Sequence, residues 1–436
     1  MDTKGWDIIY MATTQKCNEN LDKNMSGLIS SFNYKSEGTE IRGTFGSWQI
    51  VNGGSDKFVH FKIPIVSGTL NVNGIKTDLT GIVPVMSIKL DFVNNPQNDN
   101  VKALTFDVDG SGSEGSSNNV FTIDVDARGK DATITPEKNP VVWGVMNSSM
   151  PQVFANNKDK LSYVFAQINL VSPQSGSWLA PKEMEFAYLD ANEGFFVIFT
   201  CITTKDTSSL PRVPDTSILD TTNDFFVCIS ERIVLENLIQ TGLPAAFGHG
   251  ATASNFQYEV VSETPGQMEI GKIVNNGELS TDTAKWALET YYPKIQDLEI
   301  TISNNQLHVI TNGSFDITGL AGASCSFQVT LNNTFSFDSS NQTFSFSEDP
   351  HPSSSYHKHI PWYDWVLVAP FFAGLVALIL ELVTNAVISS VTDSISSSDN
   401  AKVSANLNTI VTWNGFDNIK FTSGELAQAL TMKSNL

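Results

Sequence analysis

Trp365 to Leu380 reads WVLVAPFFAGLVALIL, sixteen residues without a charge. Water will not solvate such a run cheaply, so the fold must enclose it in lipid or in protein. A membrane span needs about 20 mostly apolar residues, and Trp365 to Val383 reaches that length only by including Glu381. Trp362, Tyr363 and Trp365, with Lys358 just outside them, resemble an interfacial belt and favour a span. Pro370 and Gly374 near the start, and the lack of a basic cluster after the run, oppose it. Apolar positions then continue as Val376, Leu380, Val383, Val387, Val391 and Ile395, while Ser389, Ser390, Thr392 and Asp393 fill the other side. The spacing predicts a helix to about Ser398 that begins apolar on every face and fades into an amphipathic one. A helix of that kind is enclosed by protein. Departure of 365–383 into a bilayer stays open as an alternative.

The rest of the chain supplies the enclosure. Met86, Ile88, Leu90 and Phe92 alternate with Ser87, Lys89 and Asp91. The same period of two recurs at Leu104, Phe106 and Val108, at Leu298, Ile300 and Ile302, at Phe327, Val329 and Leu331, and at Phe344 and Phe346. Alternation joined by NN, NG and SS turns predicts antiparallel hairpins with one solvated face. The fold class expected is therefore α+β and β-dominated, with strongly curved antiparallel sheets wrapped around long helices. Other helices are predicted over 12–32, with Cys17, Leu21, Met25 and Leu28 on one stripe, and from an N-cap at Ser230 to a stop at Gly242 and Pro244. At 436 residues the chain exceeds one ordinary core. A boundary at the small residues Gly248 to Ser254 divides it into halves 1–247 and 248–436.

Charge excludes one class of partner. With 26 Lys+Arg against 46 Asp+Glu the net charge is −20, which repels nucleic acid. Mean hydropathy of −0.08 with 41% hydrophobic residues fits a globular protein. The start, MDTKGWDIIY, lacks the basic and apolar regions of a secretory signal. The expectation is synthesis in the cytoplasm and release by another route.

Candidate chemistry is sparse. Cys17, Cys201, Cys228 and Cys325 form no C-x-x-C pair and read as buried thiols. "DVDGSGSEGSSN" starts like a calcium loop at Asp107 and Asp109, but its twelfth position is Asn118 where a bidentate Glu is needed, so a hairpin turn is the better reading. His351, His357 and His359, with Asp349 upstream, could share a metal or simply form a solvated linker. No nucleophile elbow, H-E-x-x-H, Walker or dinucleotide motif occurs. The reading is a non-enzyme with no cofactor and no metal site.

"GWDIIY" at Gly5–Tyr10 and "ISERIVLENLIQTGLP" at Ile229–Pro244 resemble the Clostridium P-47 and OrfX family of botulinum-neurotoxin-type gene clusters, as does the Trp-led apolar helix late in the chain. The resemblance implies the tubular lipid-binding (TULIP) fold, elongated, with an apolar groove able to hold acyl chains. It implies a toxin-cluster accessory protein, released with a toxin complex, whose partners are a lipid or fatty acyl ligand or other toxin-cluster proteins, with peripheral membrane contact as a further option. Residues expected to line the groove are Phe371, Leu375, Val376, Ile379, Leu382 and Val383 on the helix, and Met86, Ile88, Leu90 and Phe92 on a strand. Burial of an acyl chain there would contribute about 0.8 kcal/mol per methylene. The alternative is the same tube filled by its own side chains and acting as an assembly module.

Overall fold

The computed structural model describes residues 2–108, 121–124, 139–171, 177–191, 194–220, 222–318, 322–359, 365–396, 403–416 and 418–435. For 121–124, 177, 365–372, 394–396 and 403–406 it describes the backbone.

The first strand, Ile8–Thr13, is buried at every position. It pairs antiparallel with Phe195–Cys201 on one side and Phe225–Ile229 on the other, and both of these are also buried throughout. Such runs are apolar at consecutive positions because both faces of the sheet are covered, unlike the half-solvated strands expected. Ile8, Tyr10 and Ala12 point into the main core. Ile9 and Met11 point the other way, into a second cluster with Trp6, Phe199, Phe226 and Cys228. Glu183–Leu189 completes this sheet at one edge and Leu430–Ser434 with Ser423–Leu426 at the other.

The helix predicted over 12–32 is shorter. Residues up to Thr13 belong to the strand, and helix α1 spans Thr14–Lys23. Its buried side chains include Cys17 and Leu21; Met25 and Leu28 follow it in a turn, where Leu28 is still buried.

A second, curled sheet runs through Gln49–Ser55, Phe58–Lys62, Val85–Asn95, Asn98–Phe106, Ala166–Asn169 and Val411–Trp413. Ser31–Ser36, Thr39–Phe45, Ile65–Val72 and Ile75–Asp78 form a four-stranded sheet beside it. Helix α2, Pro140–Asn156, fills the space between them and was not foreseen. Met146, Met150, Val153 and Phe154 supply its buried face, and Phe154 meets Trp48 at 5.6 Å and Phe45 at 6.0 Å.

The later part of the chain builds an eight-stranded antiparallel sheet from Phe256–Ser262 to Ser353–His359, including the long strands Lys294–Ser303, Gln306–Asp316 and Ser324–Asp338. On Ser324–Asp338 the inward positions are Cys325, Phe327, Val329, Leu331, Asn333 and Phe335, which extend the predicted alternation of Phe327, Val329 and Leu331 at both ends. Between the sheets, α3 (Glu231–Ile233) continues as a π-helix over Val234–Gln240, and α4 follows at Leu243–Phe247. The helix stops at Gln240, just before Gly242 as expected, and Pro244 then opens a separate short helix, because Pro in the first turn of α4 gives up no needed N–H. The long helix α5 spans Trp365–Ser396 and α6 spans Val403–Ile410. At the end of the chain, Val411–Trp413 pairs with Ala166–Asn169 and Leu430–Ser434 pairs with Phe225–Ile229. Strands from 248–436 thus complete two sheets whose other strands lie in 1–247.

Leu21 is fully buried against this core. Leu21→Asp is expected to leave an unpaired charge there and cost about 4 kcal/mol or more in urea unfolding; a wild-type midpoint would show that α1 does not seal the core.

Candidate functional site

Helix α5 lies against α4, Val234–Gln240, the strands Ser324–Asp338 and Thr343–Ser347, and the short strand Ala284–Trp286. Its inward positions are Leu375, Val376, Ile379, Val383, Val387 and Val391, each exposed by 3% or less. They join Leu298, Leu331 and Phe335 in one continuous core. Ser390 is also buried against α4 and does not face solvent; its hydroxyl lies 2.6 Å from the Ala386 carbonyl of its own helix and 3.3 Å from the Ala246 carbonyl. The helix is not enclosed on every face. Ala373, Ala377, Glu381, Asn385 and Ser389, four residues apart, form an exposed stripe. Ala373–Asp393 is long and apolar enough to cross a membrane, yet half of that stretch is buried inside the protein.

At Gly374 a hairpin comes close to the α5 backbone. A Cβ there would meet Trp286 Cη2 at 2.5 Å, so the indole packs on the bare helix backbone. The hairpin carrying Trp286 turns at Ala287, with φ of 56°, and leaves Leu288 wholly exposed.

The residues expected to line a groove fall in two places. Leu375, Val376, Ile379 and Val383 face inward on α5, while Leu382 is half-buried at its flank. The Phe371 side chain lies outside the described residues. Met86, Ile88 and Leu90 are fully buried, and Phe92 half-buried, in the second sheet, paired with Val59, Phe61 and Phe106. That strand is not among the elements that α5 packs on extensively. Its opposite face is polar as predicted, with Lys57 on Asp91 at 3.0 Å and on Glu185 at 3.2 Å, and Lys89 on Asp91 at 3.3 Å.

Reactive groups are held inert where they are described. Burial pushes the thiols of Cys17 and Cys228 up to about 12 and those of Cys201 and Cys325 up to about 11, so none offers a thiolate near neutral pH. Asp107 is paired with Lys89, and Asp109 to Asn118 lie outside the described residues. His357 and His359 sit on the exposed strand Ser353–His359 with ring centroids 5.4 Å apart, and His351 donates its backbone N–H to Asp349. No three His, Cys, Asp or Glu side chains converge among the described residues. Clefts lined by described residues, of 440 to 570 Å³, open between α1 and residues 415–420, beside Gln49–Asn52, near Asn408–Trp413 and beside Arg212. Their walls contain none of the inward α5 positions.

Curled antiparallel sheets, including a half-barrel, closed over long helices define a TULIP-like fold. Sequence comparison gives the family: the OrfX-like profile, described as Protein OrfX2/OrfX3/P47, matches residues 3–424, and the chain belongs to that family. It is 31% identical to Protein P47 of Clostridium botulinum (strain Kyoto / Type A2), over 83% of this chain and 84% of that one. Protein OrfX3 of the same strain is 20% identical, over 87% and 83% of the two chains. The solved structure of P47 from Clostridium botulinum A2 superposes with a TM-score of 0.82 at 28% identity, covering 100% of this chain and 98% of that one. P47 of Clostridium botulinum E1 gives 0.77 at 27% identity, covering 99% of each.

Gly374→Val is expected to push Trp286 off α5 and cost about 1–3 kcal/mol, read from urea unfolding. No change in stability would mean that the hairpin is not fixed on the helix.

Proposed function

We propose that the chain is a non-enzymatic accessory protein of a toxin gene cluster, a tube filled by its own side chains that works by docking its outer surface onto other proteins of that cluster. Family membership supports the accessory role, and neither "Protein P47" nor "Protein OrfX3" names an enzymatic activity. The observation that carries the filled tube is the burial of Leu375, Val376, Ile379, Val383 and Val387 at 0 to 3% exposure. A groove wide enough for an acyl chain would leave its lining accessible to a water-sized sphere, and these side chains are not. Close packing of this kind already takes the hydrophobic gain that an acyl chain would otherwise supply.

Acyl-chain binding along α5 and the inward strand faces is the competing reading, and one pair of variants separates the two. In the filled tube, Leu375→Trp and Ile379→Trp overpack the core and lower stability by about 1–3 kcal/mol, while the wild type takes up no fluorescent fatty acid. Saturable uptake by the wild type at a stoichiometry near one, lost in a Trp variant of normal stability, would establish the lipid-holding tube instead. Native mass spectrometry of protein purified without detergent gives an independent reading through the presence or absence of bound lipid.

A further inference from the structure

The first turn after Ser230 carries a carboxylate that nothing in the proposed function uses. Glu231 is 1% exposed, and its Oε2 has no hydrogen-bond partner among the described residues. Two more buried oxygens lie in the same place, Tyr258 Oη and Glu269 Oε1, and the phenol is turned to the Glu269 carboxylate as a donor. Tyr258 lies flat over Gly271, where a Cβ would meet its Cζ at 2.2 Å, so the phenol is confined between the strands Phe256–Ser262 and Ile270–Asn275. The cluster sits where α3 and the π-helix pack on those two strands.

The nearby cation is taken by groups other than Glu231. Arg232 pairs with Glu236 at 3.0 Å and with Glu269 at 3.6 Å, and stands 5.8 Å above the Tyr258 ring. From Ile270–Asn275, Lys272 is engaged by Glu299 at 2.7 Å. Glu259 faces Lys272 from Phe256–Ser262. From the N-terminus, Asp7 is taken up by Lys205 at 2.9 Å, and Asp2 accepts from the Met268 N–H at 2.7 Å. Every other charged group around Glu231 is therefore acidic or already paired.

We propose that Glu231, Glu269 and Tyr258 form a proton-operated latch, closed when Glu231 is protonated and weakened when it ionises, that fastens the α3 segment to the strands Phe256–Ser262 and Ile270–Asn275. Protonated, Glu231 gains an O–H that can donate to a neighbouring buried oxygen, the Tyr258 Oη among them, whose lone pairs stay free when the phenol donates to Glu269. Ionised, it is a buried charge without a partner. Burial pushes its carboxyl up to about 7, against a smaller opposing pull from the Gly271 backbone N–H. Burial first, and then the Glu269 carboxylate, hold the Tyr258 phenol far above its ordinary value, so Tyr258 keeps its proton throughout. The folded state thus holds a proton that the unfolded chain has released above about pH 4.5. The resulting stabilisation is complete below that pH and is lost as pH rises through about 7.

Hydrogen exchange by mass spectrometry on the full chain, corrected for intrinsic rate, tests the latch at pH 5.5 and pH 8. Wild-type amides across 256–275 are expected to lose roughly tenfold in protection at the higher pH, and Glu231→Gln, neutral at both, to lose none. Equal wild-type protection at the two values, or an equal loss in Glu231→Gln, would overturn the proposal. Should that variant fail to fold, infrared titration of the wild type decides. A protonated-carboxyl band persisting above pH 6 supports the latch, and its absence refutes it.

Discussion

Strand Ile8–Thr13 is the element the rest of the molecule leans on, because it is paired on both edges and covered on both faces. A strand in that position cannot borrow hydrogen bonds from water, so all its backbone groups must be met by its neighbours. Asp7, immediately before it, fixes the register. Its buried carboxylate accepts from the Ile202 N–H at 2.9 Å, the Thr203 N–H at 3.2 Å and the Thr203 hydroxyl at 3.1 Å, and pairs with Lys205. Its main chain also joins both neighbouring strands, donating to the Thr200 carbonyl and accepting from the Ser230 N–H. A buried carboxylate is tolerable only with such complete pairing, and here the pairing locates three distant parts of the chain.

Two helices play matched roles in the core that one face of that sheet joins. α2 fills the curl of the second sheet with Met146, Met150, Val153 and Phe154, and α5 covers the eight-stranded sheet with its Leu375 to Val391 face. Curled antiparallel sheets leave a concave apolar surface that side chains from one helix can fill. The last strands, Ser423–Leu426 and Leu430–Ser434, return to the doubly covered sheet, so the end of the chain closes the region that the beginning opens.

Glu231 contrasts with Asp7 in one respect. Both are nearly inaccessible acids at the mouth of the same sheet, but Asp7 has a cation and three donors whereas Glu231 has its Oε2 unpaired. Identical chemistry therefore gives a fixed clamp in one place and a proton-sensitive group in the other, and the neighbours alone decide which.

Much of this fold was legible in the residues. Alternation at Met86 to Leu90 and at Phe327 to Leu331 gave the strands and their inward faces, because a pleated strand repeats every two residues whatever it packs on. The uncharged run at Trp365 to Leu380 required a long helix, though not the exposed stripe that the structure leaves on it, and the stretch around Ser230 to Gln240 required a shorter one. Helix α2 was hidden because Ser149 interrupts its buried face while Val141, Val142, Trp143 and Val145 lie outside it, so no single apolar stripe stands out until the sheets around it choose one. Ile8–Thr13 begins as a consecutive apolar run, IIYM, which periodicity cannot assign and which pairing settled. Partition of the inward positions between α5 and the second sheet, and the lone burial of Glu231, were likewise decided by tertiary structure. A sequence determines which groups must avoid water; which neighbour covers each group depends on contacts between residues hundreds of positions apart.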